Sequence, residues 1–429
     1  MPIALDQLYI EGGNALNGVV QISGAKNAAL PILAAALLTK DAIVLRNVPR
    51  LKDVYTMIDL LSKLGTKARW ITEHELELHT PSIKGHKAAY ELVKTMRASI
   101  LVLGPLLGRS GQASVSLPGG CAIGARPVDQ HLQAVKQLGV KVELLDGYIN
   151  AKAGAKGLTG GKIKFNVVTV TGTENAIMAA VLAKGDTVIE NAACEPEVID
   201  LVRFLKELGA KITGEGSSTL HITGVKALHG VDHYDIMPDR IEAGTYLIAG
   251  AITGGKVQIE HARASDMTSV IEHLQDMGVS VAASSGGSVL IVDATNNKLH
   301  SVPLISTAPY PAFPTDMQAQ FMSLACKAKG DTMITENIFE NRFMHVAELQ
   351  RMGANITVKG NQALVHGNIN FKGTHVMATD LRASASLVLA GLAAEGATYI
   401  DRIYHLDRGY ENLTTKLQAL GASVRRITG

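Results

Sequence analysis

The chain has 429 residues, enough for two or three domains, and its 47% hydrophobic and 19% charged content is ordinary for a globular protein, which excludes disorder and low complexity. Lys and Arg total 41 against 39 Asp and Glu, and aromatics make up only 4%, so the chain has neither the basic field nor the stacking platforms of a general nucleic-acid binder. Three scattered cysteines, Cys121, Cys194 and Cys326, match no disulfide framework and no zinc spacing and predict free thiols in a cytoplasmic protein.

The opening Met1-Pro-Ile-Ala-Leu-Asp-Gln lacks the basic and apolar regions of a signal peptide. The longest apolar run, Ala28 to Leu38, has 11 residues, short of the roughly 18 a membrane span needs. It predicts a helix apolar on all sides, hence buried on all sides. A Leu-Gly or Met-Gly pair then recurs six times along the chain, with glycines at Gly65, Gly139, Gly209, Gly278, Gly353 and Gly421, 68 to 75 residues apart. Such a period is the signature of a repeated unit. Residues 197–208 place Val198, Leu201, Val202, Leu205 and Leu208 on one face, which predicts an amphipathic helix over a core, closed by a glycine C-cap. Alternating stretches such as Thr219-Leu-His-Ile-Thr come next as strands. Apolar helices resembling the one at 28–38 are predicted again from Ala176 and Ala385. The symmetric reading is two similar domains, each with three units around one core.

Two positions in each unit suit chemistry. One is the start of the buried helix. These starts read Ser23-Gly-Ala-Lys-Asn27, Thr95-Met-Arg97, Thr173-Glu-Asn175, Asp239-Arg-Ile-Glu242, Pro314-Thr-Asp316 and Asp380-Leu-Arg382. Glu174, Asn175 and Asp316 read as caps or first-turn anions that suit the helix dipole. Lys26, Arg97 and Arg382 oppose that dipole; alone, such a cation snorkels to solvent or pairs with Asp239, Asp316 or Asp380, but three at equivalent positions point to an anionic ligand.

The other position is the loop before the amphipathic helix. Leu117-Pro-Gly-Gly-Cys-Ala-Ile-Gly-Ala-Arg-Pro-Val-Asp129 stands apart, being glycine-rich, with Cys121 five residues before Arg126. A nearby guanidinium favours the thiolate, which makes Cys121 a candidate acid or nucleophile. Walker, HExxH, CxxC and GxSxG motifs are absent, so neither a metal nor a dinucleotide cofactor is expected, and phosphate is expected on Arg and Lys.

With Ser23–Asn27, Lys94-Thr-Met-Arg-Ala-Ser99, Pro118–Asp129, Pro311-Ala-Phe-Pro-Thr-Asp-Met-Gln318, Glu340-Asn-Arg-Phe-Met-His345, Ala378-Thr-Asp-Leu-Arg-Ala-Ser384 and Asp407-Arg-Gly-Tyr410 in order on a six-unit repeat, the chain resembles the UDP-N-acetylglucosamine enolpyruvyl transferases over essentially its whole length. That resemblance implies an inside-out α/β barrel of two domains, three βαβαββ units each. Residues 26–238 would form an inserted domain carrying the Cys121 loop, and 1–25 with 239–429 the second, with the substrates in the cleft between them. It implies transfer of the enolpyruvyl group of phosphoenolpyruvate to the 3′-hydroxyl of UDP-N-acetylglucosamine, the first committed step of peptidoglycan synthesis. No cofactor, nucleic acid, membrane or obligate protein partner is implied.

The roles implied are residue by residue. Cys121 is the general acid on C3, and Asp316 the proposed base on the sugar hydroxyl, which replaces its reading as a cap. Lys26, Arg126 and Arg408 surround the phosphate; Arg342, Arg382 and Arg408 engage the carboxylate; Asn27 and Arg97 line the same site, and Asp380 orients the arginines. Arg126, Pro127, Val128, Asp129 and Gln130, with Ile338, hold the UDP-sugar. Where the family pattern near the diphosphate is Lys-Val-Ser-Val-Gly, this chain has Val168-Thr169-Val170-Thr171-Gly172, so the diphosphate is expected on Thr hydroxyls and backbone N–H groups. A sister transferase acting on a shikimate phosphate lacks the Pro-Gly-Gly-Cys loop, and a UDP-sugar sensor would not need Cys121, Asp316 and Arg408.

Overall fold

A computed structural model describes residues 6–93, 96–117, 128–296 and 298–428. Among them the chain forms six four-stranded sheets and separates into two compact units. One unit takes residues 6–23 and 238–428, the other 24–117 and 128–237. The architecture is the expected one of six βαβαββ repeats, three per unit.

The repeat is plainest at 162–223. Strand Lys162–Lys164 leads into the buried helix Val170–Ala180, which crosses over to the parallel strand Asp186–Glu190. The amphipathic helix Pro196–Glu207 comes next, then the strands Lys211–Thr213 and Thr219–Thr223 close the sheet antiparallel. The parallel step needs a crossover, and the helix supplies it on the face that becomes the core.

In three sheets the strand completing the order comes from far along the chain, and in one of them Asn17–Gln21 runs parallel beside Lys256–Glu260. Gln7–Glu11 lies between Ala397–Asp401 and Ser423–Ile427, antiparallel to both. Val231–Asp235 runs parallel beside Ala42–Arg46. The repeat built on helix Lys26–Ala35 therefore receives its leading strand only at the end of the insertion.

Each unit has its own core. In one, the helices Arg240–Thr253, Gln318–Lys327 and Leu381–Leu392 pack on one another. In the other, Leu103–Ser110 packs along Val170–Ala180, and Lys26–Ala35 lies against the 3₁₀ segment Arg97–Val102 and helix Pro196–Glu207. These helices are buried along nearly their whole length, as their all-round apolar sequences require. Each fully buried Leu or Ile there contributes about 1.5–3 kcal/mol. The amphipathic helices bury one stripe only; in Pro196–Glu207 it includes Val198, Leu201, Val202 and Leu205.

All six repeat glycines end their helices at positive φ, from +84° at Gly139 to +114° at Gly65. A side chain is costly in that conformation, which is why glycine recurs. The second buried helix departs from expectation: the segment from Arg97 is a 3₁₀ turn, and the α-helix begins at Leu103. Among the described residues no helix is long and apolar enough to cross a membrane.

Candidate active site

In the unit holding the C-terminal half, three charged residues from three repeats converge. Asp316 lies on the 3₁₀ turn Thr315–Met317 that precedes helix Gln318–Lys327. Its side chain does not cap that helix. Pro314 is the N-cap of that turn and Met317 that of the helix, so of its two readings Asp316 is the first-turn anion and not the cap. Instead Oδ1 accepts from Arg342 Nη2 at 2.8 Å, and Oδ2 accepts from Arg382 Nη2 at 3.2 Å and Nε at 3.3 Å. The two guanidinium side chains are 3% and 4% exposed, the carboxylate 26%. Arg382 Nη1 has no hydrogen-bond partner among the described residues.

Arg382 is the second residue of helix Leu381–Leu392, whose N-cap Asp380 accepts from the backbone N–H of Arg382 at 2.9 Å and Ala383 at 3.1 Å. Asp380 thus fixes the arginine's backbone, while Asp316 pairs with its guanidinium. Burial alone would push the Arg382 pKa down; Asp316 first, then Tyr410 and Asp239, more than reverse this, so it is raised and the charge is permanent. The guanidinium carbon lies 5.5 Å from the Tyr410 ring centroid. Tyr410 is buried, its phenol pushed up by burial against the pull of Arg382, and its oxygen lies 3.0 Å from Thr245 Oγ1. Arg408, half-buried, ends the 3₁₀ turn Ile403–Arg408, which packs on the Leu381 helix.

Two supporting residues carry no signal in the sequence. Glu336 is buried, and its Oε1 accepts from Ile338 N at 2.8 Å, Phe339 N at 3.1 Å and Thr307 Oγ1 at 3.0 Å. Its Oε2 accepts from Thr315 Oγ1 at 2.9 Å. One carboxylate therefore shapes the loop bearing Ile338 and steadies the residue before Asp316. Gln320 Nε2 donates to the Asp316 carbonyl at 2.9 Å. His345 is fully buried, and burial pushes its pKa down to about 4, with Asp380 opposing and Arg342 reinforcing, so the imidazole is neutral near pH 7.

The other unit holds the remaining described candidates. Lys26 opens helix Lys26–Ala35, with Asn27 after it, and its Nζ lies 3.6 Å from Asp53 Oδ2. The pairing expected of such a cation was with Asp239, Asp316 or Asp380; Arg382 makes it with Asp316, whereas Lys26 finds Asp53. Arg97 opens its 3₁₀ segment beside His131, whose pKa burial and then the Arg97 charge push down to about 4.

His131, which no spacing in the sequence singles out, anchors a chain of hydrogen bonds. Gly104 N donates to Asn175 Oδ1 at 2.7 Å, which fixes the Asn175 amide. Its Nδ2 then donates to Ile100 O at 3.0 Å and to His131 Nδ1 at 2.9 Å. The imidazole proton is thereby assigned to Nε2, which faces Thr171 Oγ1 at 3.2 Å. Thr171 accepts there and keeps its own hydrogen to donate outward. Gly104 permits this: a Cβ on it would sit 2.3 Å from the Asn175 carbonyl oxygen.

The cap reading of Glu174 and Asn175 therefore fails. Thr169 caps this helix by accepting from Gly172 N at 3.2 Å, so the helix starts at Val170 and both residues lie inside it, buried. The Glu174 carboxyl is pushed well up, by burial first and then by Glu197 and Glu195. Gln130 is also buried and occupied: Oε1 accepts from Asn166 N at 2.9 Å and Nε2 donates to Asp129 at 2.9 Å. Val128 is the N-cap of helix Asp129–Gln137. Val168, Thr169 and Val170 are half-buried, and Ile338 is 36% exposed. Cys121, Arg126 and Pro127 lie outside the described residues. Among those described, no group of His, Cys, Asp and Glu is arranged to hold a metal ion.

Comparison with known proteins points one way. Residues 10–417 match the sequence family described as EPSP synthase (3-phosphoshikimate 1-carboxyvinyltransferase). Proteins named UDP-N-acetylglucosamine 1-carboxyvinyltransferase from two Coxiella burnetii strains, Dugway 5J108-111 and RSA 331 / Henzerling II, are each 53% identical over 424 residues, covering 99% of this chain and 96% of theirs. The enolpyruvyl transferase NikO of Streptomyces tendae superposes with a TM-score of 0.87 at 26% identity, over 99% of this chain and 100% of its own. An EPSP synthase of Acinetobacter baumannii superposes at 0.78 with 17% identity, over 98% of this chain and 100% of its own, a likeness of fold.

Proposed function

The chain belongs to the EPSP synthase family of enolpyruvyl transferases, and from that premise we propose that it moves the enolpyruvyl group of phosphoenolpyruvate to the 3′-hydroxyl of UDP-N-acetylglucosamine, releasing phosphate, in the cytoplasmic opening of peptidoglycan synthesis. The observation that carries this reading is the 53% identity, across 99% of the chain, to relatives named for that reaction. The 17% identity to the shikimate-type structure speaks for a shared fold alone.

Cys121 delivers a proton to C3 of phosphoenolpyruvate and makes C2 electrophilic. The 3′-oxygen attacks C2 while Asp316 accepts its proton. C3 then returns a proton to the Cys121 thiolate as the C2–O bond to phosphate breaks, restoring the double bond in the product. The substrate carboxylate is taken by Arg342, Arg382 and Arg408, and the phosphate by Lys26, Arg126 and Arg408, with Asn27 and Arg97 beside them. Their burial favours these roles: Arg342 and Arg382 are desolvated before any ligand arrives, so their donors need little reorganisation in the transition state. The UDP-sugar rests on Arg126, Pro127, Val128, Asp129, Gln130 and Ile338, and its diphosphate at the start of the Val170 helix on Val168, Thr169, Val170 and Thr171. The outward-donating Thr171 hydroxyl, held by His131, does part of what lysine does in the usual pattern.

The test is phosphate release from phosphoenolpyruvate with UDP-N-acetylglucosamine, then with shikimate 3-phosphate. Release with the UDP-sugar alone is expected. Release with the shikimate alone keeps the family and replaces the acceptor; binding of the UDP-sugar without release makes the chain a sensor.

A further inference from the structure

We propose that the carboxylate of phosphoenolpyruvate displaces Asp316 from the Arg342–Arg382 pair, so that arrival of this substrate is what frees the base for the acceptor hydroxyl. The proposal rests on the reading of the reaction given above and adds an order of events within it.

The two guanidinium groups assigned to a substrate carboxylate already carry one. Asp316 fills that place with both oxygens, at 2.8 Å from Arg342 and 3.2 and 3.3 Å from Arg382. A second carboxylate approaching these arginines competes for the same donors. The partners are not equally able to move. Arg342 and Arg382 are almost wholly buried, and the Arg382 backbone is locked by the Asp380 cap. Asp316 is 26% exposed and stands on a three-residue 3₁₀ turn. The anion yields and the cations stay. Arg382 Nη1, buried and without a partner among the described residues, is a further donor that Asp316 does not use and an incoming carboxylate can.

The exchange matters to the chemistry because a carboxylate between two guanidiniums is a poor proton acceptor: both stabilise its charged form. Once displaced, Asp316 no longer has its charge held by these two guanidiniums. As the 3′-oxygen bonds to C2, the hydroxyl proton passes to an Asp316 oxygen, while the C2–C3 electron pair takes the proton from the general acid. When phosphate departs with the C2–O pair, C3 returns a proton to the conjugate base of the general acid and the double bond returns. No co-reactant is needed.

The experiment is calorimetric titration of phosphoenolpyruvate into the protein with UDP-N-acetylglucosamine present, for the unaltered chain, Asp316→Asn and Asp316→Ala, with phosphate release measured alongside. Exchange predicts opposite movements: phosphate release falls at least about a hundredfold, while phosphoenolpyruvate binds on the order of tenfold more tightly because its competitor is gone. Unchanged affinity makes Asp316 a base that competes with nothing, and weakened affinity makes it a brace for the arginines; either overturns the exchange. Asp316→Ala decides if Asp316→Asn does not fold. On the unaltered protein, infrared difference spectra with ¹³C-aspartate should show one carboxylate band leaving its guanidinium-paired position when phosphoenolpyruvate is added, and no such shift overturns the proposal without any variant. An active unaltered enzyme whose variants bind no more tightly loses the exchange and keeps the function. No phosphate release from the unaltered enzyme removes the function and the exchange together.

Discussion

Two helix ends in the same unit use the same cap for different purposes. Asp239 accepts from Ile241 N at 2.8 Å and Glu242 N at 3.0 Å, and Asp380 does the same for Arg382 and Ala383 at 2.9 and 3.1 Å. The charge beyond each cap differs. At the Arg240 helix the charge turned inward is Glu242. Lys416 answers it at 2.7 Å, and the Ser23 N–H donates to it at 2.8 Å. At the Leu381 helix the inward charge is Arg382, and its answer is Asp316. The Glu242 side chain is 2% exposed and Lys416 17%, whereas Asp316 is 26% exposed. Both charges are compensated, the second by the more exposed counter-ion. A buried charge becomes functional here when its partner is accessible, whatever the cap beneath it.

The largest effect that tests this contrast is Arg382→Ala. It should lower phosphate release by about 10²–10³-fold, measured with both substrates saturating; near-full turnover would make this helix end as structural as the other. Next is Asn175→Ala, inside the Val170 helix of the other unit, where Gly104 N, Ile100 O and His131 Nδ1 all lose their partner. Denaturant unfolding should show a loss of about 1–3 kcal/mol, and the Michaelis constant for the UDP-sugar should rise more than that for phosphoenolpyruvate, because the Thr171 hydroxyl is no longer oriented.

Two buried groups of this unit, Glu242 and His345, also differ in how they respond to pH. Burial, and to a lesser degree Asp239, push Glu242 up to about 7 from its ordinary 4.5 despite Lys416. Folded protein therefore holds that proton between pH 4.5 and 7 when the unfolded chain has lost it, and stability falls as pH rises through that window. His345, pushed down to about 4 from 6.5, does the reverse: the unfolded chain is protonated first as pH falls, so stability drops from pH 6.5 toward 4. Each slope is at most about 1.4 kcal/mol per pH unit. Melting curves from pH 4 to 8 should show Glu242→Gln removing a fall with rising pH and His345→Gln removing a rise. Matching signs would refute the assignment of either group. The smallest effect is on the caps: Asp239→Ala and Asp380→Ala should each cost about 1 kcal/mol in unfolding experiments, with only Asp380→Ala also raising the Michaelis constant for phosphoenolpyruvate.

What could be read from the sequence was what local chemistry determines. Positive φ at six helix ends demands glycine, so the repeat announced itself. A helix buried on every side must be apolar on every side, so the central helices were visible too. The same local rules misplaced Glu174 and Asn175, because an acid or amide near a helix start reads as a cap. Thr169 already caps the Val170 helix, which puts Glu174 and Asn175 inside it, while Asp316 stands in a first turn, as its other reading had it, with its carboxylate on the arginines. His131 and Glu336 were invisible for another reason. Their partners, Asn175 and Thr171 for one, Thr307 and Thr315 for the other, come from segments that only the tertiary fold brings together. A lone histidine and a loop glutamate carry no spacing to betray them.

The placement of Gln7–Glu11 between Ala397–Asp401 and Ser423–Ile427 has a consequence for biosynthesis. On a ribosome adding roughly 5–20 residues per second, that strand emerges about 20 to 80 seconds before its neighbours. The intervening stretch, which supplies every strand of its own three sheets, can fold meanwhile. Gln7–Glu11 and Asn17–Gln21 must wait as unpaired edges, open to wrong neighbours on nearby nascent chains. Moving residues 6–23 behind residue 428 by circular permutation would shorten that exposure to seconds while leaving the sheet order unchanged.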